Sequence, residues 1–508
     1  MNNSSNKQIA KNTIVLYLRM FISMLVSLYT SRVVLRELGP VDYGINNVVA
    51  GVVAMFSFLN ASMSGATSRF LTFHLGKDNL EGLKRQFGAA KTIHLLIAIL
   101  VVFLSETIGM YFLEYKLVIP DERMFAAKCI FQFCIIGTFF TITQVPYSAC
   151  VFSHEKMTLY AVLELCRTFL HLGAVFLLSL GSDRLIFWGM LTLGTTVLLS
   201  FSYRMYCWTH FSESRSRFLF EKQIVKPMLS FSGWDLYGNL SVMLRTQGVS
   251  MLLNMFFGPL MNAAAGIATS VQGAVMSLSG NLVTAMRPQI VKRYAQGEIS
   301  SMLKLLNDVS KLAFLLIAIL TVPLIVESKY VLSLWLGNVP EHAAEICIFV
   351  LLFNVFANQS VILVSVIHAT GKIFRPSFIN GTLYLLVVPI SFIAFKFGGD
   401  YWISFLVNVL AVFCGMLSNA WTIHLYIPEF SFGKYVAHNL IPCLLIFVLS
   451  IVIALGIRFY FDESLFRLIL VCFTSSVALG FAGYKLLLSK NMQQEIINKI
   501  KGMLCSNL

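Results

Sequence analysis

Of 508 residues, 57% are hydrophobic and only 12% charged, and mean hydropathy reaches +0.77; a water-soluble core cannot enclose that much apolar surface, so lipid must act as solvent. The formal net charge of +14 is what Lys- and Arg-rich loops on one side of a membrane produce, and no nucleic-acid partner is read from it.

In chain order, Lys7 and Lys11 precede an apolar run from Thr13 to Val34 that is too long for a signal peptide and is read as a retained first helix. Apolar windows then predict spans near 12–34, 44–68, 92–113, 125–149, 157–180 and 185–207. A polar run, Ser212-Glu213-Ser214-Arg215-Ser216-Arg217, has the composition of a hinge-like linker. Further spans follow near 228–256, 263–286, 309–327, 344–368, 377–397, 401–426, 436–457 and 465–488. The tail carries Ile496, Ile497, Ile500 and Leu504 at helical spacing with Lys499 and Lys501 between them, a pattern suited to a short amphipathic helix on the inner leaflet.

The chain repeats itself at an offset of roughly 220 residues. Gly39-Pro40 recurs as Gly258-Pro259, Gly44-Ile45 as Gly266-Ile267, Arg69 as Arg287, Gly76 as Gly297, and Leu95 to Leu100 as Leu315 to Leu320. The expected architecture is an all-α membrane protein of about fourteen transmembrane helices: two six-helix lobes in parallel repeat and a C-terminal helix pair. The expected boundaries are 1–207 and 228–426 for the lobes, 208–227 for a cytoplasmic linker, 427–488 for the extra pair and 489–508 for a cytoplasmic tail. With the N-terminus inside, about 22 Lys and Arg fall on the cytoplasmic side and about 10 outside.

Charges inside spans are costly, so those present usually face a partner or a wet cavity. The candidates among them are Arg19, Glu106, Glu164, Arg167, Asp235 and Arg245. Glu164 and Arg167, spaced i to i+3, can neutralise each other. Arg19, and Arg69 and Arg287 at the cytoplasmic ends of the second and eighth spans, can snorkel to headgroups, or the latter two can capture anions at a cavity mouth. Arg245 lies too deep to snorkel with ease. Together with Arg19 it suggests a cationic cavity between the lobes whose natural ligand is a phosphate or diphosphate, with an Asp235–Arg245 ion pair as the competing reading. The second, seventh and eighth spans are rich in amides and hydroxyls; Asn239, Gln247 and Gln272, with Trp234 and Tyr237 nearby, suit a lining that hydrogen-bonds and stacks on sugars. Close helix packing accounts for many of the Ser and Gly positions.

No nucleophile elbow, paired-carboxylate signature, HExxH or phosphate loop is present, so no catalytic residue and no cofactor are assigned. The ten cysteines lack CxxC spacing and are read as small core hydrophobes, with neither a disulfide framework nor a metal site implied. No P-loop and no cytoplasmic domain exist to power an ATP-driven pump, leaving an ion gradient or the substrate's own gradient.

The stretch Arg36-Glu37-Leu38-Gly39-Pro40-Val41-Asp42-Tyr43-Gly44-Ile45, with Phe257-Gly258-Pro259, Ala263-Ala264-Ala265-Gly266, Ser153-His154-Glu155-Lys156 and Thr370-Gly371-Lys372, resembles the polysaccharide-export branch of the multidrug/oligosaccharidyl-lipid/polysaccharide (MOP) superfamily, the O-antigen repeat-unit flippases. The resemblance extends over nearly the whole chain, although the second lobe has no Tyr at the site matching Tyr43. It implies an inner-membrane protein that moves an undecaprenyl-diphosphate-linked oligosaccharide to the periplasmic leaflet by alternating access, with H+ or Na+ as a possible coupling ion and membrane lipids around its tail. Cation and drug antiporters of the same superfamily resemble a twelve-helix form with an acidic residue in the first helix; Asn12 to Arg36 holds none. A lipid II flippase is the nearer alternative. A membrane polysaccharide polymerase or ligase is the alternative of another class, but it would need a large outer loop where this chain has short ones.

Overall fold

The computed structural model describes residues 3–56, 58–76, 79–154, 156–372 and 374–487; the tail helix expected beyond 488 lies outside the described residues. Among the described residues the chain is helical throughout, without a strand. The first element, α1, runs Asn3–Met55 with a break at Gly39 (φ 79°, ψ 166°) and Pro40 directly after it. Proline lacks the N–H that a first helical turn leaves unused, and glycine alone takes a positive φ without strain, so the pair ends one helix and starts the next. α2 follows at Phe58–Gly76. The second expected span, 44–68, is therefore divided between the end of α1 and α2.

α3 (Leu80–Leu104) is N-capped by Asn79, whose side chain accepts from the Gly82 N–H at 2.8 Å. It widens into a π-helical turn at Ser105–Gly109 before a last stretch to Tyr115. α4 (Asp121–Ser153) opens with Asp121 and Glu122, which favour a helix N-terminus. α5 is Met157–Leu177, and α6 (Arg184–His210) is capped by Asp183. α7 (Lys222–Phe257) and α8 (Pro259–Ala295) are separated by one residue, Gly258, at φ 79° and ψ −178°. The two Gly-Pro repeats therefore adopt nearly the same backbone break. α9 (Ile299–Val326), a short α10 (Ser328–Leu336), α11 (Ala343–Thr370), α12 (Phe374–Lys396), α13 (Trp402–Tyr426), α14 (Ile441–Tyr460) and α15 (Leu465–Ala482) complete the chain. Ten of the described helices are long and apolar enough to cross a membrane. α7 and α8, of 36 and 37 residues, are more polar but exceed the ~30 Å bilayer core in length. The chain is a multi-pass membrane protein.

The helices form two compact units. One comprises Met1–Ser270, Pro340–Ala343 and Tyr384–Ser404; the other comprises Val271–Val339, Ala344–Leu383 and Phe405–Leu508. In the first, Leu71, Phe87, Tyr147, Cys150, Tyr203 and Cys207 form a buried cluster across α2, α3, α4 and α6. Arg123 joins the start of α4 to two other segments, donating to Asp42 at 2.5 Å and to Asp183 at 2.8 Å. Burial works against the charge of Asp183, but hydrogen bonds from Arg123 and from the Ile186 and Leu185 N–H groups outweigh it and hold its carboxyl below the usual range. In Asp42 burial prevails over Arg123 and raises the pKa.

The polar run after α6 is not a free hinge. Ser212–Arg215 makes one tight turn with Glu213 and Ser214 buried. The following residues lie along α3: Leu219 N–H donates to Thr92 Oγ1 (3.1 Å) and Gly88 O (3.3 Å), Lys91 donates to Ser216 O, and Arg85 pairs with Glu221. Gly88 makes room, since a Cβ there would lie 2.5 Å from Arg217 O. Burial opposes the charge of Glu213, yet His154 and a backbone N–H hydrogen-bond to it and lower its pKa.

In the second unit, α14 and α15 present Leu445, Val448, Val452, Phe466 and Phe473 outward, as lipid-facing helices do, and pack their other faces on α9 through Phe314, Ile317, Phe447 and Val471. The pair is anchored by charge. Arg467 Nη2 lies 2.7 Å from Glu327 Oε2, Arg467 Nη1 donates to Phe461 O at 3.1 Å, and Arg458 Nη1 donates to Val326 O at 2.7 Å.

Candidate functional site

In the first unit the repeated glycines meet. A Cβ on Gly44 would lie 1.9 Å from Pro259 O and 3.3 Å from Ala263 N, so the segment of α1 beyond Pro40 runs against the backbone at the start of α8. The pseudo-equivalent Gly266 faces the other way: a Cβ there would lie 2.4 Å from Asn47 Nδ2 and 3.2 Å from Tyr43 Cε1. Ile45 and Ile267, next to these glycines, are both fully buried. Two copies of one motif thus cross through their glycines, as small residues permit in a membrane. Polar groups gather around the crossing. Tyr43 is buried and, with Asn47, faces Gly266. Asn262 Nδ2 donates to Ser250 O (2.8 Å) and Ser250 Oγ (3.0 Å), and Gln247 Oε1 approaches Gly51 so closely that a Cβ there would sit 2.6 Å from it. Asn254, fully buried, exchanges hydrogen bonds with both backbone groups of Val118 at 2.6 and 3.3 Å.

Arg245, one turn from this network on α7, is 8% exposed, and its guanidinium carbon lies 4.8 Å from the Tyr384 ring centroid of α12. A desolvated cation over an aromatic face gains roughly 2 kcal/mol, and the guanidinium keeps its charge whatever the surroundings. Arg245 thus places a buried positive charge on the side of α7 that meets α12, while the amides and hydroxyls of the crossing lie on the side that meets α1 and α8.

The remaining expected residues fall as follows. Gln247, two residues from Arg245, points to the other side of α7, toward Gly51, and Asn239, two turns earlier on α7, is half-buried. Gln272 belongs to the second unit, where its backbone carbonyl accepts from Asn354 Nδ2 at 3.0 Å. The side chains of Arg19, Arg69, Asp235 and Arg287 lie outside the described residues. Glu164 and Arg167 do form the local pair, at 3.6 Å. Glu106, in the π-helical turn, accepts from Gln132 Nε2 at 3.2 Å. His94 is buried against Thr67 Oγ1 at 3.1 Å, and His171 lies 3.4 Å from Thr195 Oγ1. Two members of the set escaped the sequence reading. Tyr384 carries no pattern that ties it to Arg245. Arg204, near the end of the sixth span, donates to Thr143 Oγ1 at 2.6 Å and lies 5.7 Å from the Tyr147 ring.

No family model matches the chain, and no curated protein matches its sequence. Solved structures do. The lipid II flippase MurJ in an inward closed conformation aligns with a TM-score of 0.71 at 14% identity, over 92% of this chain and 98% of its own. A multidrug-resistance MATE transporter of the MOP superfamily, inward-facing, gives 0.68 at 14% identity over 81% and 98%. A MOP-superfamily transporter from Pyrococcus furiosus Vc1, described as having a binding pocket of reversed polarity, gives 0.60 at 15% over 81% and 95%. The chain has the MOP-superfamily transporter fold. At these identities of 14–15% the likeness concerns the backbone fold alone.

Proposed function

We propose that this protein is a flippase for a lipid-linked oligosaccharide, moving an undecaprenyl-diphosphate-linked O-antigen, capsule or exopolysaccharide repeat unit across the bacterial inner membrane by alternating access of the lobes 1–207 and 228–426. The observation that carries the reading is Arg245, buried in the seventh span over Tyr384: a fixed guanidinium suits a diphosphate and repels organic cations. The acid-free first span and the MOP fold support it. So does the extent of the structural match, which covers 92% of this chain with the lipid II flippase and 81% with the MATE transporter. That difference also favours lipid II as the second substrate reading, since it presents the same diphosphate. In this reading Asn239, Gln247 and Gln272 meet the sugars, Arg19 and Asp235 line the same path, and Arg69 and Arg287 attract the diphosphate at its inner mouth, with the substrate gradient or an H+ or Na+ gradient as the energy source.

Deleting the gene and complementing with wild type, Arg245→Lys or Arg245→Ala tests it. The expected result is loss of polymerised surface glycan on deletion, with lipid-linked repeat units accumulating on the cytoplasmic leaflet and dye tolerance unchanged. Wild type restores export, the lysine variant restores part of it because the forked geometry is lost, and the alanine variant restores none at normal membrane abundance. Intact glycan with raised sensitivity to cationic dyes assigns the protein to drug export, and arrested cell-wall synthesis assigns it to lipid II. The Lys and Arg asymmetry places both termini in the cytoplasm; reporter fusions at residue 226 and at the C-terminus should both read cytoplasmic, and a periplasmic signal from either overturns the topology.

A further inference from the structure

The end of α4 and the turn after α6 bring together a cluster that transport does not use. Cys150 and His154 stand one helical turn apart, and Glu213 reaches them from the turn Ser212–Arg215. Glu213 Oε1 lies 3.4 Å from Cys150 Sγ and 2.5 Å from His154 Nε2. One ligand atom from each residue falls within 4.8 Å of the other two, and Cys150 and Glu213 are buried. Cys207 belongs to the same buried cluster as Cys150, and its thiol donates to Tyr147 O at 3.4 Å. The surroundings are held in place: the His154 ring stacks on Phe211 at 4.0 Å and 10°, and Ser214 Oγ donates to Cys207 O at 2.9 Å and Phe211 O at 2.8 Å.

We propose that Cys150, His154 and Glu213 form a binding site for a divalent cation of zinc type. Sulfur, imidazole nitrogen and carboxylate oxygen are the donors zinc takes. With Zn–S of about 2.3 Å and Zn–N and Zn–O of about 2.0 Å, neighbouring donors on a tetrahedron stand about 3.3–3.5 Å apart. The Cys150–Glu213 separation matches this, while the His154–Glu213 contact opens by under about 1 Å on exchanging a proton for a metal. The ion replaces the Cys150 thiol proton, which passes to solvent, and His154 binds through Nε2. Loaded, the site fastens the turn after α6 to the end of α4 and fixes where the segment along α3 begins.

The test uses the full-length protein, purified in detergent through a tag without histidine, stripped with chelator and re-equilibrated with zinc. Elemental analysis should find about one zinc per chain in wild type and in the control Cys166→Ser, an exposed cysteine on α5, and background levels in Cys150→Ser and Glu213→Gln. Cobalt added to stripped wild type should produce a thiolate-to-metal charge-transfer band that Cys150→Ser lacks. That band is read on wild type, so it decides the matter even if the variants misfold. Wild type binding no more zinc than Cys150→Ser, or cobalt binding without the band, overturns the site.

Discussion

Gly44→Ala lowers the thermal stability of the purified protein and abolishes the export proposed above, whereas Gly266→Ala at the pseudo-equivalent position is milder. The two glycines face different kinds of neighbour. A Cβ on Gly44 lands 1.9 Å from Pro259 O, a backbone atom at the first residue of α8, and 3.3 Å from Ala263 N one turn on. No rotamer change relieves that overlap, so α1 and α8 must part. Gly258, at φ 79°, and Pro259 with its locked φ leave little slack to move the start of α8. The new contact at Gly266 is with Asn47 Nδ2, the free end of a side chain that can swing aside. Overpacking costs typically about 1–3 kcal/mol and occasionally more; Gly44→Ala belongs at or above the top of that range and Gly266→Ala near the bottom. Melting curves in detergent together with complementation of the deletion measure both. Equal melting temperatures for wild type and Gly44→Ala would refute the crossing.

Arg467→Met destabilises the protein by about 3–5 kcal/mol, the cost of leaving a buried charge without its partner. Glu327 is 1% exposed and Arg467 4%, and their 2.7 Å contact links α15 to the end of α9. The double variant Arg467→Met, Glu327→Leu recovers most of the loss, because an apolar pair of similar volume removes both charges and carries no desolvation penalty. Recovery stays incomplete, since the Arg467 hydrogen bond to Phe461 O is lost in both. A double-mutant cycle on melting temperature in one detergent reads the coupling. Additive losses, with the double variant the least stable of the set, would show that the pair does not couple.

Much of the architecture is legible in the residues alone. Among the described residues the apolar windows fall almost entirely on helix, because an unpaired peptide group in lipid is so costly that a long apolar run has little alternative to helix. The Gly-Pro repeats announce two breaks of the same kind, and Gly39 and Gly258 share φ 79° because only glycine tolerates that angle freely and only the first helical turn accepts proline. The Glu164–Arg167 pair was readable for the same reason, being set by helical pitch. The gap between α1 and α2 inside the second expected span was not, since local composition there favours continuity.

What the tertiary structure decided is which distant residues meet. Tyr384 covers Arg245 from another helix, Glu327 receives Arg467, Glu213 joins Cys150 and His154, and a polar run with the composition of a hinge lies against α3. The i to i+4 spacing of Cys150 and His154 was the one local sign of that cluster, and it gains meaning only with Glu213 beside it. Backbone hydrogen bonding and lipid act on each segment by itself and leave a periodic trace in the sequence. Side-chain partnerships depend on how helices pack, and packing is settled by the combined shapes of segments hundreds of residues apart.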